Sequence, residues 1–164
     1  GPITEELLFR SAAVPLLLPP PSGSATTLLF IVPVIFGLSH VHHYYEFTLT
    51  NPRVPATAAL VRSAFQFGYT TLFGAYATFL YLRTGSLVGV CAVHTFCNSM
   101  GLPQVWGRVE FPDEYLGGKK RSILWSVVYY ILLVTGAVLW WKNLWVLSEN
   151  ETGLVAKDAF GRRA

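Results

Sequence analysis

Residues 122–141 read SILWSVVYYILLVTGAVLWW without a single charged side chain. As a helix, a segment of that length runs about 30 Å, the thickness of a bilayer's hydrocarbon core. In lipid every backbone N–H and C=O must find its partner within the protein, and a helix does so within its own segment. Trp140, Trp141 and Trp145 cluster at one end, as an interfacial aromatic belt would.

The rest of the chain is consistent with a membrane protein. It is 52% hydrophobic and only 13% charged, against roughly 25% charged in soluble domains. The formal net charge of +3 is spread over segment ends, so nothing points to nucleic acid as a partner. Residues 2–18 read as a first helix, closed by Pro19-Pro20-Pro21 and the Ser22-Gly23-Ser24 turn. Residues 26–47 and 56–82 are further apolar segments, separated by the proline-containing loop TLTNPRVPA. Residues 86–101 form a shorter helix rich in small residues, which lets helices approach closely in lipid. Residues 102–121 form the most polar stretch, read as a surface loop. The expected fold class is all-α, a polytopic membrane helix bundle of about five helices spanning 1–147, with a polar, mobile tail over 148–164. Lys119, Lys120 and Arg121 favour a cytosolic position for their loop, whereas Lys142, Lys157, Arg162 and Arg163 argue for the opposite face.

Ionisable residues inside such segments are costly and are functional candidates by default. Three groups occur. Glu6 and Arg10 are spaced i,i+4 with the acid first, the favourable order for an ion pair. Arg10 can neutralise Glu6, and Glu5, about 100° around the helix, is left free to face a reacting group. Phe36 and His40 are likewise i,i+4, so the phenyl ring can pack beside the imidazole. His94 and Asn98 share a helix face and can both donate hydrogen bonds, as an oxyanion site requires. A free carboxylate, a histidine and a pair of donors are the components needed to add water to a carbonyl. His42 and His43 read as polar groups at the membrane boundary. Arg62 and Arg83 are candidates to attract a substrate carboxylate, although each also suits a segment end.

The same residues carry a family resemblance. EELLFR fits E-E-x-x-x-R, FGLSH fits F-x-x-x-H, and HTFCN fits H-x-x-x-N. In this order on successive apolar segments, they resemble the CPBP family of glutamate-dependent intramembrane proteases. The flanking text, including HVHHYYE and AFQFGYTTLFGAYATFLYLRTG, is similar to the eukaryotic CaaX-processing branch. The resemblance covers roughly residues 1–103. It implies an endopeptidase of the endoplasmic reticulum membrane that removes the aaX tripeptide from prenylated CaaX proteins such as Ras-like GTPases. It implies Glu5 as general base with His40, and His94 and Asn98 as oxyanion donors. Glu6, Arg10 and Phe36 have supporting roles, and no metal or cofactor takes part. It also sets the expectation that apolar spans precede Gly1 and that this chain is the C-terminal half.

Three other readings compete. A metal hydrolase would draw ligands from Glu5, Glu6, His40 and His94, although no H-E-x-x-H is present. A thiol protease would use Cys91 or Cys97, each three residues from His94, although buried cysteines are usually inert packing groups. A transporter or scaffold would keep the helices without the chemistry.

Overall fold

A computed structural model describes residues 1–17, 25–109, 123–156 and 159–160. The described residues contain helices and no strand. The elements are α1 (Pro2–Glu6), a π-helical stretch (Leu7–Ala12), α2 (Ala13–Leu17), α3 (Ala25–Leu38), α4 (His42–Thr50), α5 (Ala56–Thr84), α6 (Leu87–Met100) and α7 (Ile123–Leu147). The first three follow one another directly, and α3 and α4 are separated only by a bend, so the described residues make five helical runs. The α3–α4 run and α7 are long and apolar enough to cross a membrane. The protein is an all-α membrane protein of the helix-bundle class. The triple proline, the Ser22-Gly23-Ser24 turn and Lys119 to Arg121 lie outside the described residues.

The chain falls into two compact units, Gly1–Phe96 with Glu149–Ala164, and Cys97–Ser148. The first is organised around α3 and α5. Val14, Leu28, Val32, Ala77, Tyr81, Leu82 and Val90 form its buried cluster, flanked by Phe73, Val155 and Phe160. Gly37 faces Phe67 and Thr71, Pro33 faces Gly74, and Phe47 of α4 meets Arg62. The residue numbers rise on one side as they fall on the other, so the helices run antiparallel. Small residues make this approach possible. A methyl group on Gly37 would collide with Thr71 Oγ1, and one on Gly74 would lie 3.1 Å from Pro33 Cα and 3.2 Å from the Phe36 ring. Lipid is as apolar as leucine, so close van der Waals packing holds such an interface more than the hydrophobic effect does.

The structure revises the sequence expectation in three places. The first helix is not regular: Leu7–Ala12 is π-helical, a form concentrated at functional sites. The segment expected over 26–47 is not one helix but breaks at residues 39–41. There Ser39 Oγ donates to the Phe36 carbonyl at 2.7 Å, and His40 Nδ1 lies 2.9 Å from the same oxygen. The backbone tightens to i,i+3 bonds, His40 N to Gly37 O and Val41 N to Leu38 O. Side chains here take the carbonyl that would otherwise continue the helix.

The third revision concerns the tail, whose described residues pack onto the end of α5. Gly85, at φ 63°, donates its N–H to Tyr81 O and ends α5 in a left-handed cap. Leu154 N then donates to Leu82 O at 2.7 Å and Thr152 Oγ1 to Thr84 O at 2.6 Å. Two carbonyls that a helix end leaves without partners are thereby satisfied.

In the second unit, residues after Gly101 lie along the start of α7. Gln104 N donates to the Tyr129 hydroxyl, the Tyr130 hydroxyl donates to Gly107 O, and Val109 N donates to Ser126 Oγ. Ser126 is the buried residue of α7, whose other side chains are largely outward and apolar, as lipid contact requires.

Candidate active site

The site begins with Glu6. Neither it nor Arg10 has any exposed side-chain surface. Arg10 Nη1 donates to Glu6 Oε1 at 3.2 Å, as the i,i+4 spacing predicts. Arg10 Nη2 reaches further and donates to the Gly74 carbonyl at 3.0 Å, which ties the first helical run to the middle of α5. Its guanidinium also lies 4.7 Å from the centroid of the Phe36 ring. Buried charges survive only when paired and hydrogen-bonded, and each of these contacts offsets part of the desolvation cost.

A third partner joins the pair from α6. His94 Nδ1 lies 2.6 Å from the same Glu6 oxygen that Arg10 holds. In the tautomer with hydrogen on Nδ1 the ring donates to that carboxylate oxygen, and Nε2 is turned to the other side of the ring. Nε2 lies 3.8 Å from Glu5 Oε2. The imidazole packs against Phe73, ring centroids 4.6 Å apart, and edge-on to Phe36 at 6.1 Å. Its orientation is thus fixed by one charged hydrogen bond and two aromatic faces. Glu5, by contrast, keeps about a third of its side chain exposed (32%). The adjacent acids have separate environments: Glu6 is sealed and paired, and Glu5 stands at the edge with His94 Nε2 within reach.

Phe36 connects the elements. Fully buried, it touches Phe9 at 5.0 Å, His40 at 4.9 Å and Phe73 at 6.4 Å, as well as Arg10 and His94. His40 therefore packs on the same ring as Arg10 and His94, on the bend between α3 and α4. A carbonyl can only accept, so the Phe36 oxygen puts the hydrogen on His40 Nδ1 and leaves a lone pair on Nε2. Among the described residues, no hydrogen bond or ion pair joins His40 to Glu5. Asn98 is exposed, one turn beyond His94 along α6. Both cysteines are free thiols.

Sequence reasoning located Glu6–Arg10 and Phe36–His40 by their spacing. It missed Glu6–His94, which joins residues 88 apart, and it missed Gly74 and Phe73 as parts of the site. Gly74 carried one signal, a glycine inside a long apolar helix, where close backbone approach is the usual cause. Arg62 stacks on Phe47 at 4.5 Å, and Arg83 is buried over Phe79 at 5.6 Å.

A buried acid and arginine from the first helical run and a histidine from α6 form one polar cluster inside a helical membrane protein. Residues 1–100 match the model of the family described as type II CAAX prenyl endopeptidase, Rce1-like, and the chain belongs to that family. It is 40% identical over 150 residues to the probable CAAX prenyl protease 2 of Schizosaccharomyces pombe, covering 92% of this chain and 51% of that protein. It is 43% identical over 115 residues to CAAX prenyl protease 2 of Homo sapiens, covering 70% of this chain and 34% of the human protein. The Arabidopsis thaliana CAAX prenyl protease 2 is 41% identical over 126 residues, 76% of this chain and 40% of that protein. The chain thus spans about half the length, or less, of the curated relatives it matches. No solved structure matches it significantly.

Proposed function

We propose that this chain carries the hydrolytic centre of an intramembrane endopeptidase that removes the aaX tripeptide from prenylated CaaX proteins, Ras-like GTPases among them. We place its work in the endoplasmic reticulum membrane, as a multi-pass protein surrounded by lipid. The observation that carries the reading is the division of labour between the two acids. Arg10 and His94 both bind one oxygen of Glu6, so Glu5 is the carboxylate left to take a proton. The relatives, CAAX prenyl proteases by name, supply the substrate class.

In this mechanism water attacks the carbonyl carbon between the prenylated cysteine and the first a residue. Glu5 accepts the proton that the water loses as the carbon–oxygen bond forms, and His40, with its Nε2 lone pair open, orients that water. The carbonyl oxygen becomes an oxyanion that accepts from His94 and Asn98. His94 gives its Nδ1 hydrogen to Glu6, so donation to the oxyanion requires a second hydrogen on Nε2. Collapse of the intermediate breaks the C–N bond, and the proton held by Glu5 passes to the leaving amine.

Two competing readings fit less well. A thiol protease needs a histidine nitrogen on its cysteine, and those of His94 face Glu6 and Glu5. A metal hydrolase using Glu5, Glu6 and His94 needs their donors to meet at one point, but His94 turns opposite edges of its ring to the two acids. The test is cleavage of a farnesylated CaaX peptide by membranes carrying the protein, read by mass spectrometry. The expected product is an intact tripeptide with the farnesyl-cysteine carboxylate exposed, and the unprenylated peptide should remain whole. Equal cleavage of both peptides, or release of single residues, would overturn the proposal.

A further inference from the structure

The motif HVHHYYE contains three polar groups that the hydrolytic centre leaves unused: His42, His43 and Glu46. Each offers a metal-ligating atom, and the three atoms lie within 4.8 Å of one another at the start of α4. The His42 and His43 rings stack with centroids 4.0 Å apart. His42 Nδ1 is 2.7 Å from the Ser39 carbonyl, which can only accept, so the hydrogen sits on Nδ1 and Nε2 keeps its lone pair. A backbone carbonyl on the far nitrogen is the usual support that orients a metal-bound histidine. His43 Nδ1 meets Glu46 Oε2 at 2.8 Å. Both side chains are partly exposed, 35% and 65%, so neither is sealed inside the protein.

We propose that His42, His43 and Glu46 form a binding site for one divalent transition-metal ion, separate from the hydrolytic centre. Two imidazoles and one carboxylate are donors suited to zinc-like ions, whereas magnesium and calcium prefer all-oxygen sites. Tetrahedral donors at bonds of about 2.0–2.1 Å stand roughly 3.4 Å apart. Small rotations of these exposed side chains close the remaining distance, with water completing the coordination. The ion takes the place of the hydrogen that His43 Nδ1 gives to Glu46, and in the neutral ring that hydrogen passes to Nε2. Arg62, stacked on the neighbouring Phe47, adds a positive charge nearby and keeps the affinity moderate. The bound ion would lie close to His40, whose ring centroid is 6.0 Å from that of His43.

The test is titration of the purified, detergent-solubilised protein with Co²⁺, followed by visible absorption and by calorimetry. The expected result is one Co²⁺ per chain with the intense bands of low coordination. His43→Ala and Glu46→Gln should each weaken binding by more than about 10-fold. Both positions are on the surface, and unchanged circular dichroism will establish that the variants are folded. Glu5→Gln should bind Co²⁺ as the parent does. The proposal is overturned if the parent does not bind, if His43→Ala and Glu46→Gln bind equally well, or if Glu5→Gln abolishes binding.

Discussion

The Glu6 centre and the His40 bend are both built from histidines, acids and carbonyls, yet they are held in opposite ways. Glu6, Arg10 and His94 are buried, come from two helical runs far apart in sequence, and are tied to a third through the Gly74 carbonyl. His40, His42 and His43 are partly or largely exposed, and each is held by a group no more than four residues away. A network assembled over long range and sealed from water is costly to disturb, because removing one member leaves the others charged and unpaired. Contacts made locally at a surface can be exchanged for water. The contrast is between a buried network around Glu6 and an exposed, locally held bend, with Glu5 at the edge of the first.

The largest effect should come from Arg10→Gln. It leaves Glu6 buried without its cation, and the loss should be about 3–5 kcal/mol, read as a drop in thermal unfolding temperature in detergent. An unchanged Tm would mean that the buried centre is not held as tightly as its contacts imply. Gly74→Ala comes next. Its methyl group would press on Pro33 and Phe36, and overpacking of this kind costs about 1–3 kcal/mol. It should also lower kcat through the shifted Arg10 contact, so a stable variant with full activity would remove Gly74 from the site.

Effects at the bend should be smaller. Ser39→Ala deletes the 2.7 Å bond to Phe36 and the 3.2 Å contact with His40. It should cost about 1 kcal/mol or less in stability and should lower kcat more than it changes KM. A stability loss equal to that of Arg10→Gln would erase the contrast between the two regions. Smallest of all, the Cys91→Ala, Cys97→Ala double variant should retain most peptide cleavage, and complete loss would bring back a thiol mechanism.

Local spacing was legible in the sequence. Glu6–Arg10 and Phe36–His40 follow from the pitch of a helix, and the apolar runs located the helical segments to within a few residues. The break at 39–41 was hidden because no proline marks it, and competition for the Phe36 carbonyl by Ser39 and His40 stops the helix. The Glu6–His94 bond was hidden because no periodicity links residues 88 apart. The docking of Thr152 and Leu154 on α5 was hidden by the polar composition of the tail, since backbone carbonyls, more than side chains, recruit it. Thus spacing revealed partners within one helix, and the partners between helices required the packing of α3 against α5.

The central claim is that the two adjacent acids have different jobs. Farnesylated-peptide cleavage should be compared for Glu5→Gln and Glu6→Gln in the same membranes, alongside the unfolding temperature of each. Glu5→Gln should keep the parent's Tm and lose about 10²–10⁴-fold in kcat, the range expected for removing a general base. Glu6→Gln should lower Tm and lose activity in step with folded protein. A Glu5→Gln variant that cleaves as fast as the parent would contradict the account, as would a fully folded Glu6→Gln variant that alone has lost catalysis.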